Sequence, residues 1–372
     1  MKIKVLRVTL FFLAIIIIPI FTFAGKKETV SYNENKTLAT MPIFSLENWK
    51  NRSFMTGMAD YISDHFVLRE SFIRMKNSID KAIGKNEING VFELNGSLIQ
   101  SFRNPDYKLT DKNLKAINDL AAKNTETQFY FMPVFTAQEK YKSDLPRYLD
   151  LTDESDYVEY CKNSLSGVTF IDTKNAINSC EHAFYNTDHH WTTDCAFAAY
   201  TDCANKLGFN PKKSSDFRIE TVSESFKGTL YSKTLNENIP ADSIRVYKTD
   251  TEHIFTVNTD KYTSLYFENH LEEKDKYSYF LNGNHGLCTV ENTALKNGRK
   301  LLLIKDSYAN CMLPFLAEHY SEITLVDPRY ASHKVISGID PSEYDQVLVL
   351  FNMDGFSQEQ NFALITFMEG NK

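Results

Sequence analysis

Five short segments constrain this chain most: Phe129–Met132, Val168–Ile171, Leu301–Ile304, Ile323–Val326 and Val347–Phe351. They are almost wholly apolar, of strand length, and lack polar alternation, so both faces must be covered. Helical patterns stand between them. Leu114, Ile117 and Leu120 mark one helix, Thr192–Leu207 another that Gly208 ends, and Tyr308–Tyr320 a third. Alternating strands and helices predict an α/β fold with a parallel sheet flanked by helices. Pro133 is expected to close the first strand. Between about 210 and 300 the chain turns to Thr, Ser, Tyr and charge, which predicts β-rich insertions. Ahead of the sheet, Phe54, Met58, Tyr61, Ile62 and Phe66 recur at helical spacing, as do Leu68, Phe72, Met75, Ile79 and Ile83. They predict an N-terminal helical extension. Two turn signals follow, Asn89-Gly90 and Asn95-Gly96. The second separates Val91–Leu94 from Leu98–Ile99 and predicts a β-hairpin.

The N-terminus carries an address. Lys2, Lys4 and Arg7 precede the apolar run Val8–Ala24, and Gly25, Lys26 and Lys27 follow it. A basic stretch before an apolar segment is a secretory signal or an uncleaved membrane anchor. Export is expected either way, with residues 1–24 as signal or anchor, 25–44 as a polar linker, and 45–372 as one domain. Localisation would then be extracytoplasmic, at the cell surface. The net charge is −7 and no Lys/Arg block follows residue 27, which argues against nucleic acid as a partner. Export also permits disulfides among Cys161, Cys180, Cys195, Cys203, Cys288 and Cys311. Their scattered spacing lacks C-x-x-C and argues against a zinc knuckle. Cys195 and Cys203 lie eight residues apart on one helix, too far to pair with each other. Free buried thiols are expected for most of the six. The 27 Phe and 20 Tyr furnish an aromatic core or, alternatively, line a groove for sugars.

Open α/β sheets bind ligands beyond the carboxyl ends of their strands. Two segments suit that edge. In Leu301–Asn310 an apolar strand runs into Asp306-Ser307, where a helix begins. Ser307 there has its hydroxyl near unpaired N–H groups that stabilise an oxyanion; alternatively, Ser307 or Asp306 only caps the helix. In Tyr185–Thr192, Asp188 and His190 are two apart, so an extended stretch would turn both to one side and His189 to the other. A carboxylate so placed fixes an imidazole tautomer. Trp191 offers a wall or a core anchor. The alternatives are a plain surface turn, or a metal held by His182, Asp188, His189 and His190; the divergence of adjacent histidines argues against the metal.

The string Asp188-His189-His190-Trp191 resembles the DHHW proteins of Gram-positive bacteria. With the later Asp306-Ser307-Tyr308 it also looks, more distantly, like the periplasmic alginate O-acetylating enzymes of the SGNH-hydrolase superfamily. The resemblance extends over about 45–372, including Phe66–Arg69, the hairpin near Gly96, and Phe226–Lys233. It implies an SGNH-hydrolase-like sheet in permuted order, the acid–base pair preceding the serine, and a Ser307–His190–Asp188 triad without metal or cofactor. It offers Gly283 and Asn284 as oxyanion candidates, and Arg329, Tyr231, Lys233 and Trp191 as further candidates near substrate; an ion pair with a local carboxylate is the alternative for Arg329. It implies an exported serine esterase or O-acetyltransferase acting on a cell-surface polysaccharide, with a membrane acyl-donor protein as a candidate partner. The competing class is a non-catalytic glycan-binding or assembly protein on a hydrolase fold. Well-separated groups or a buried serine would favour that class.

Overall fold

The computed structural model describes residues 2–25, 28–146 and 148–369. Lys26 and Lys27, the charged flank of the apolar run, lie outside the described residues. The chain divides into two compact units, Met1–Asn89 with Tyr231–Asn238, and Gly90–Leu230 with Ile239–Lys372.

In the first unit, Lys2–Ala24 is one helix that runs through Pro19. Its stretch Val5–Ala24 is long and apolar enough to cross a membrane. The segment expected as a polar linker contains a small antiparallel pair, Val30–Ser31 with Lys36–Thr37. Helices Ser53–Asp64 and Arg69–Ala82 follow, separated at Leu68, whose φ is 59°. The apolar stripe of the second helix faces outward: Leu68, Phe72, Met75, Ile79 and Ile83 are all exposed, while Asn77 is buried. The reason is polar. Asn77 Nδ2 donates to Thr234 O at 2.8 Å, and Arg74 pairs with Glu237 at 2.6 Å. Both contacts tie Tyr231–Asn238 to this helix.

The second unit is built on an eight-stranded sheet. Along the chain its strands are β1 Gln128–Val134, β2 Val168–Phe170, β3 His253–Val257, β4 Asp260–Tyr262, β5 Leu287–Asn292, β6 Lys300–Lys305, β7 Glu322–Val326 and β8 Gln346–Asn352. The order is β4-β3-β5-β7-β6-β8-β1-β2. The run from β7 to β2 is parallel, whereas β3, β4 and β5 pair antiparallel. Part of the expected β-rich insertion is therefore an extension of the central sheet. The rest includes Arg218–Phe226 paired with Asp242–Lys248. The hairpin Val91–Leu94 and Ser97–Gln100 turns at Asn95 and Gly96, with φ of 50° and 80°, the backbone an Asn-Gly hairpin turn requires.

Two expectations need correction. Pro133 does not close its strand: it lies inside β1, opposite Phe351 of β8. Its carbonyl faces the β2 side, where β2 has already ended and Thr173 Oγ1 donates to it at 2.6 Å. The amide side of one residue matches its carbonyl side, so the missing N–H costs no ladder bond. The helix Tyr308–Tyr320 is broken into a 3-10 turn, Ser307–Ala309, and a short helix, Leu313–Leu316. Pro314 lacks the N–H that an α-helix would offer to Asn310. Much of the path uses i→i+3 bonds instead, such as Asn310 N to Ser307 O at 3.1 Å and Met312 N to Ala309 O at 3.0 Å.

The sheet sits inside the core, and Leu301, Leu302, Leu303 and Ile304 of β6 are fully buried. Leu303→Ala would leave a cavity between two layers and is expected to cost about 2–5 kcal/mol, measured by urea unfolding.

Candidate active site

The parallel run brings the ends of β6, β7, β8 and β1 to one edge. There Asp306 leaves β6 as a buried carboxyl that laces two strands together. Its Oδ1 accepts from Tyr308 N at 2.9 Å and its Oδ2 from Asn352 N at 2.7 Å. Burial raises the Asp306 carboxyl above its ordinary range, against the pull of Arg329 and these two N–H donors. Asn352 Nδ2 in turn reaches Val134 O of β1 at 3.0 Å. Asp306 is the cap of the turn, and the next residue, Ser307, is left facing the site. The Ser307 N–H meets no acceptor among the described residues.

The acid–base segment is a tight loop. Phe184 bridges to Trp191, Tyr185 N donates to His190 O at 3.2 Å, and Thr192 N donates to Ala183 O at 2.9 Å. Buried Asp242 holds its tip, accepting from Asn186 N at 2.7 Å and Thr187 N at 2.8 Å. The hairpin adds Leu98 N to Asn186 O at 2.8 Å. The backbone here bends rather than extends. Asp188 Oδ1 accepts from both His190 N at 3.0 Å and His190 Nδ1 at 2.5 Å, so an Asx-type turn, not strand alternation, joins the pair.

His190 Nε2 lies 2.8 Å from Ser307 Oγ. The Asp188 carboxylate can only accept, so Nδ1 carries the proton and Nε2 is left to take one from Ser307. The three side chains thus form one hydrogen-bonded line, from residues that are 2%, 5% and 6% exposed for Asp188, His190 and Ser307. Burial alone would raise the Asp188 carboxyl. The neighbouring His189 and His190 and the hydrogen bonds from His190 and Thr229 outweigh it and hold the carboxyl well below the usual carboxylate range. The Tyr277 ring stacks on the imidazole at 3.8 Å and 10°, and its hydroxyl donates to Ser307 O at 3.2 Å.

The other candidates fall in different places. His189 does not turn away: its ring lies 4.0 Å from that of His190, and its Nδ1 is 2.6 Å from Thr229 Oγ1. Ligand atoms of Asp188, His189 and His190 lie within 4.8 Å of one another. Of their ring nitrogens, His190 Nδ1 is taken by Asp188, His190 Nε2 by Ser307 Oγ and His189 Nδ1 by Thr229 Oγ1. Trp191 is a core anchor, fully buried, with Nε1 donating to Tyr308 O at 2.8 Å. Gly283 uses its N–H on Phe280 O at 3.2 Å, with φ of 88°, so it is a turn residue and no oxyanion donor. Asn284 Oδ1 accepts from Asn310 Nδ2 at 3.2 Å, and Asn310 Oδ1 accepts from buried Lys305 at 2.5 Å. Arg329 forks onto Asp327 at 2.9 and 2.7 Å, the ion-pair alternative. Tyr231 belongs to the first unit, where its hydroxyl donates to Glu237 at 2.6 Å and accepts from Arg74 at 3.2 Å; Lys233 lies in that unit too.

Sequence reasoning missed Gly228 and Thr229. Thr229 donates to Asp188 Oδ2 from N at 2.7 Å and from Oγ1 at 2.9 Å. Gly228 allows this approach, since a Cβ there would lie 2.3 Å from Asp188 Cβ. The signal available was the resemblance over Phe226–Lys233, which contains both residues without giving either a role.

A family model described as DHHW protein matches residues 156–326, a span that holds Asp188, His190 and Ser307. Among solved structures, a DHHW family protein from Eubacterium siraeum matches with a TM-score of 0.66 at 23% identity, covering 77% of this chain and 98% of that one. Bacillus cereus PatB1 matches with a TM-score of 0.61 at 18% identity, over 73% and 98% of the two chains. The same protein with a sulfonyl adduct gives 0.61 at 16%, over 76% and 98%. No curated protein sequence matches significantly. The chain resembles the DHHW proteins and shares the α/β fold of these solved structures, a mostly parallel sheet flanked by helices.

Gly228→Ala is expected to push Asp188 off the imidazole and to cost about 1–3 kcal/mol by overpacking, read by thermal unfolding. The depressed Asp188 carboxyl contributes stability that is present above the ordinary carboxylate value, about 4, and is lost as pH falls below it. The stability gap between wild type and Asp188→Asn should therefore be widest near neutral pH and shrink toward acid, measured as Tm against pH.

Proposed function

We propose that this protein is an exported serine acyl-ester enzyme that acts on O-acetyl groups of a cell-surface polysaccharide, as an O-acetyltransferase or an acetylesterase. The observation that carries the reading is the line Ser307 Oγ, His190 Nε2, His190 Nδ1, Asp188 Oδ1, at 2.8 and 2.5 Å. His190 takes the Ser307 proton as Oγ attacks the acetyl carbonyl. Asp188 holds the tautomer and stabilises the imidazolium. The Ser307 N–H, without a protein acceptor among the described residues, is the oxyanion donor in this reading. His190 then gives its proton to the departing alcohol, leaving an acetyl-serine. Water or a sugar hydroxyl takes the acetyl group in the second half. The apolar helix Lys2–Ala24 supports an extracytoplasmic site of action with a membrane attachment or a removed signal. A membrane acyl-donor protein remains part of the transferase version.

One observation favours the second reading, a non-catalytic glycan-binding protein: Ser307 is only 6% exposed. The two readings part on access to the serine. A sulfonyl fluoride is the natural probe, since PatB1 has been solved with a sulfonyl adduct. The enzyme reading expects the adduct on Ser307, located by peptide mass spectrometry. It also expects acetyl-ester turnover that falls on the order of 10⁴-fold or more in Ser307→Ala and His190→Ala. Wild-type rates in both variants would remove the triad assignment. Acetyl content of surface glycans gives direction: loss in a Ser307→Ala strain indicates a transferase, and excess an esterase.

A further inference from the structure

The N-terminal helix fixes where a bilayer would meet the first unit. Its stretch Val5–Ala24 has 20 residues, about 30 Å of helix, which matches the hydrocarbon core of a membrane. Thr22 and Phe23 therefore sit at the boundary. Both touch the elbow between the helices Ser53–Asp64 and Arg69–Ala82. Thr22 Oγ1 accepts from Val67 N at 3.3 Å, and the Phe23 ring stacks on that of Tyr61 with centroids 6.4 Å apart. Thr22 is only 3% exposed, so the elbow is packed onto the end of the span rather than hung from it on a linker.

The exposed stripe starts one residue beyond that contact. Leu68, Phe72, Met75, Ile79 and Ile83 are 67%, 44%, 52%, 52% and 70% exposed. Their spacing keeps them on one side of the helix Arg69–Ala82, in a strip about 20 Å long. The polar side is already engaged, since Asn77 and Arg74 hold the segment Tyr231–Asn238. Neighbouring cations are engaged too. Arg69 pairs with Glu34 at 2.9 Å, and Lys76 and Lys85 both reach Asp80, at 2.8 and 3.0 Å. An amphipathic helix whose water-facing apolar strip begins where a membrane span ends is suited to the interface of that membrane.

We propose that Arg69–Ala82 is an interfacial helix, whose strip inserts about 5–10 Å into the headgroup boundary of the bilayer that Val5–Ala24 crosses. The partner is a lipid surface, held by apolar contact. Because the nearby cations are spent on carboxylates of the chain, anionic headgroups are not required. Span and strip together give the first unit two attachments, which stop it rotating freely about the span. The inference rests on the membrane-attached form of the proposed localisation and is independent of the acyl chemistry.

The test uses the full chain in phosphatidylcholine vesicles, with Trp49→Phe and one added tryptophan, Ile79→Trp or Lys81→Trp. Lys81 is exposed and lies about 200° round the helix from Ile79. Trp191, fully buried, supplies the same background in both. Emission is quenched from the lipid by phosphatidylcholine brominated near the headgroup end of its chains, and from the water by acrylamide. Ile79→Trp is expected to lose most of its added emission to the brominated lipid and little to acrylamide, at low and high salt alike. Lys81→Trp is expected to show the reverse. Four results overturn the proposal: quenching of Ile79→Trp by acrylamide, an open face; protection from both quenchers, a face covered by a second copy or another protein; lipid quenching lost at high salt, attachment by charge; and equal lipid quenching at Lys81→Trp, a helix without a membrane-facing side. The span is read separately, by the intact mass of the chain extracted from membranes of the producing cells. Residues 1–24 are expected to be retained, and their loss removes the membrane-attached form and the proposal with it.

Discussion

The site depends on one buried carboxylate. Asp188 accepts from four donors, His190 N, His190 Nδ1, Thr229 N and Thr229 Oγ1. An ionised group this deep is tolerated only when its lone pairs are satisfied. The four bonds do more than satisfy it. They join the loop at 186–190 to the segment at 228–229 and fix the imidazole plane. The neighbouring groups at the sheet edge work around that fixed plane. Tyr277 covers one face of the ring, and Asp306 anchors the turn that carries Ser307.

Much of the frame was legible in the sequence. The apolar segments became strands of the central sheet because residues such as Leu301–Ile304 must be buried on both faces. Thr192 and Gly208 ended their helix as expected, the first accepting from Cys195 N at 3.2 Å and the second taking φ of 72°. The errors came where local pattern lost to tertiary contact. Pro133 reads as a stop, but the sheet places it where its neighbour strand has ended. Leu68, Phe72 and Met75 recur at helical spacing and the helix is there, but Arg74 and Asn77 turn it toward polar partners and leave that stripe exposed.

The residues of the site divide in the same way. Asp188, His190 and Ser307 were candidates from their local settings together with the family resemblance, and the structure places them in one hydrogen-bonded line. Thr229 was not, because its contact with Asp188 spans 41 residues and leaves no local period. Gly283 and Arg329 were plausible by position, but the Gly283 N–H is spent on Phe280 O, and Arg329 holds Asp327 through Nε and Nη2.

Trp191 and Tyr308 tie the two halves of the site reciprocally. Trp191 Nε1 donates to the Tyr308 carbonyl, and the Tyr308 hydroxyl donates to the His189 carbonyl. His190 and Ser307 lie 117 residues apart in the chain, so such contacts form only after a long loop closes. An unfolded chain therefore holds no assembled site: Ser307 meets His190 only when the whole sheet edge has formed around both.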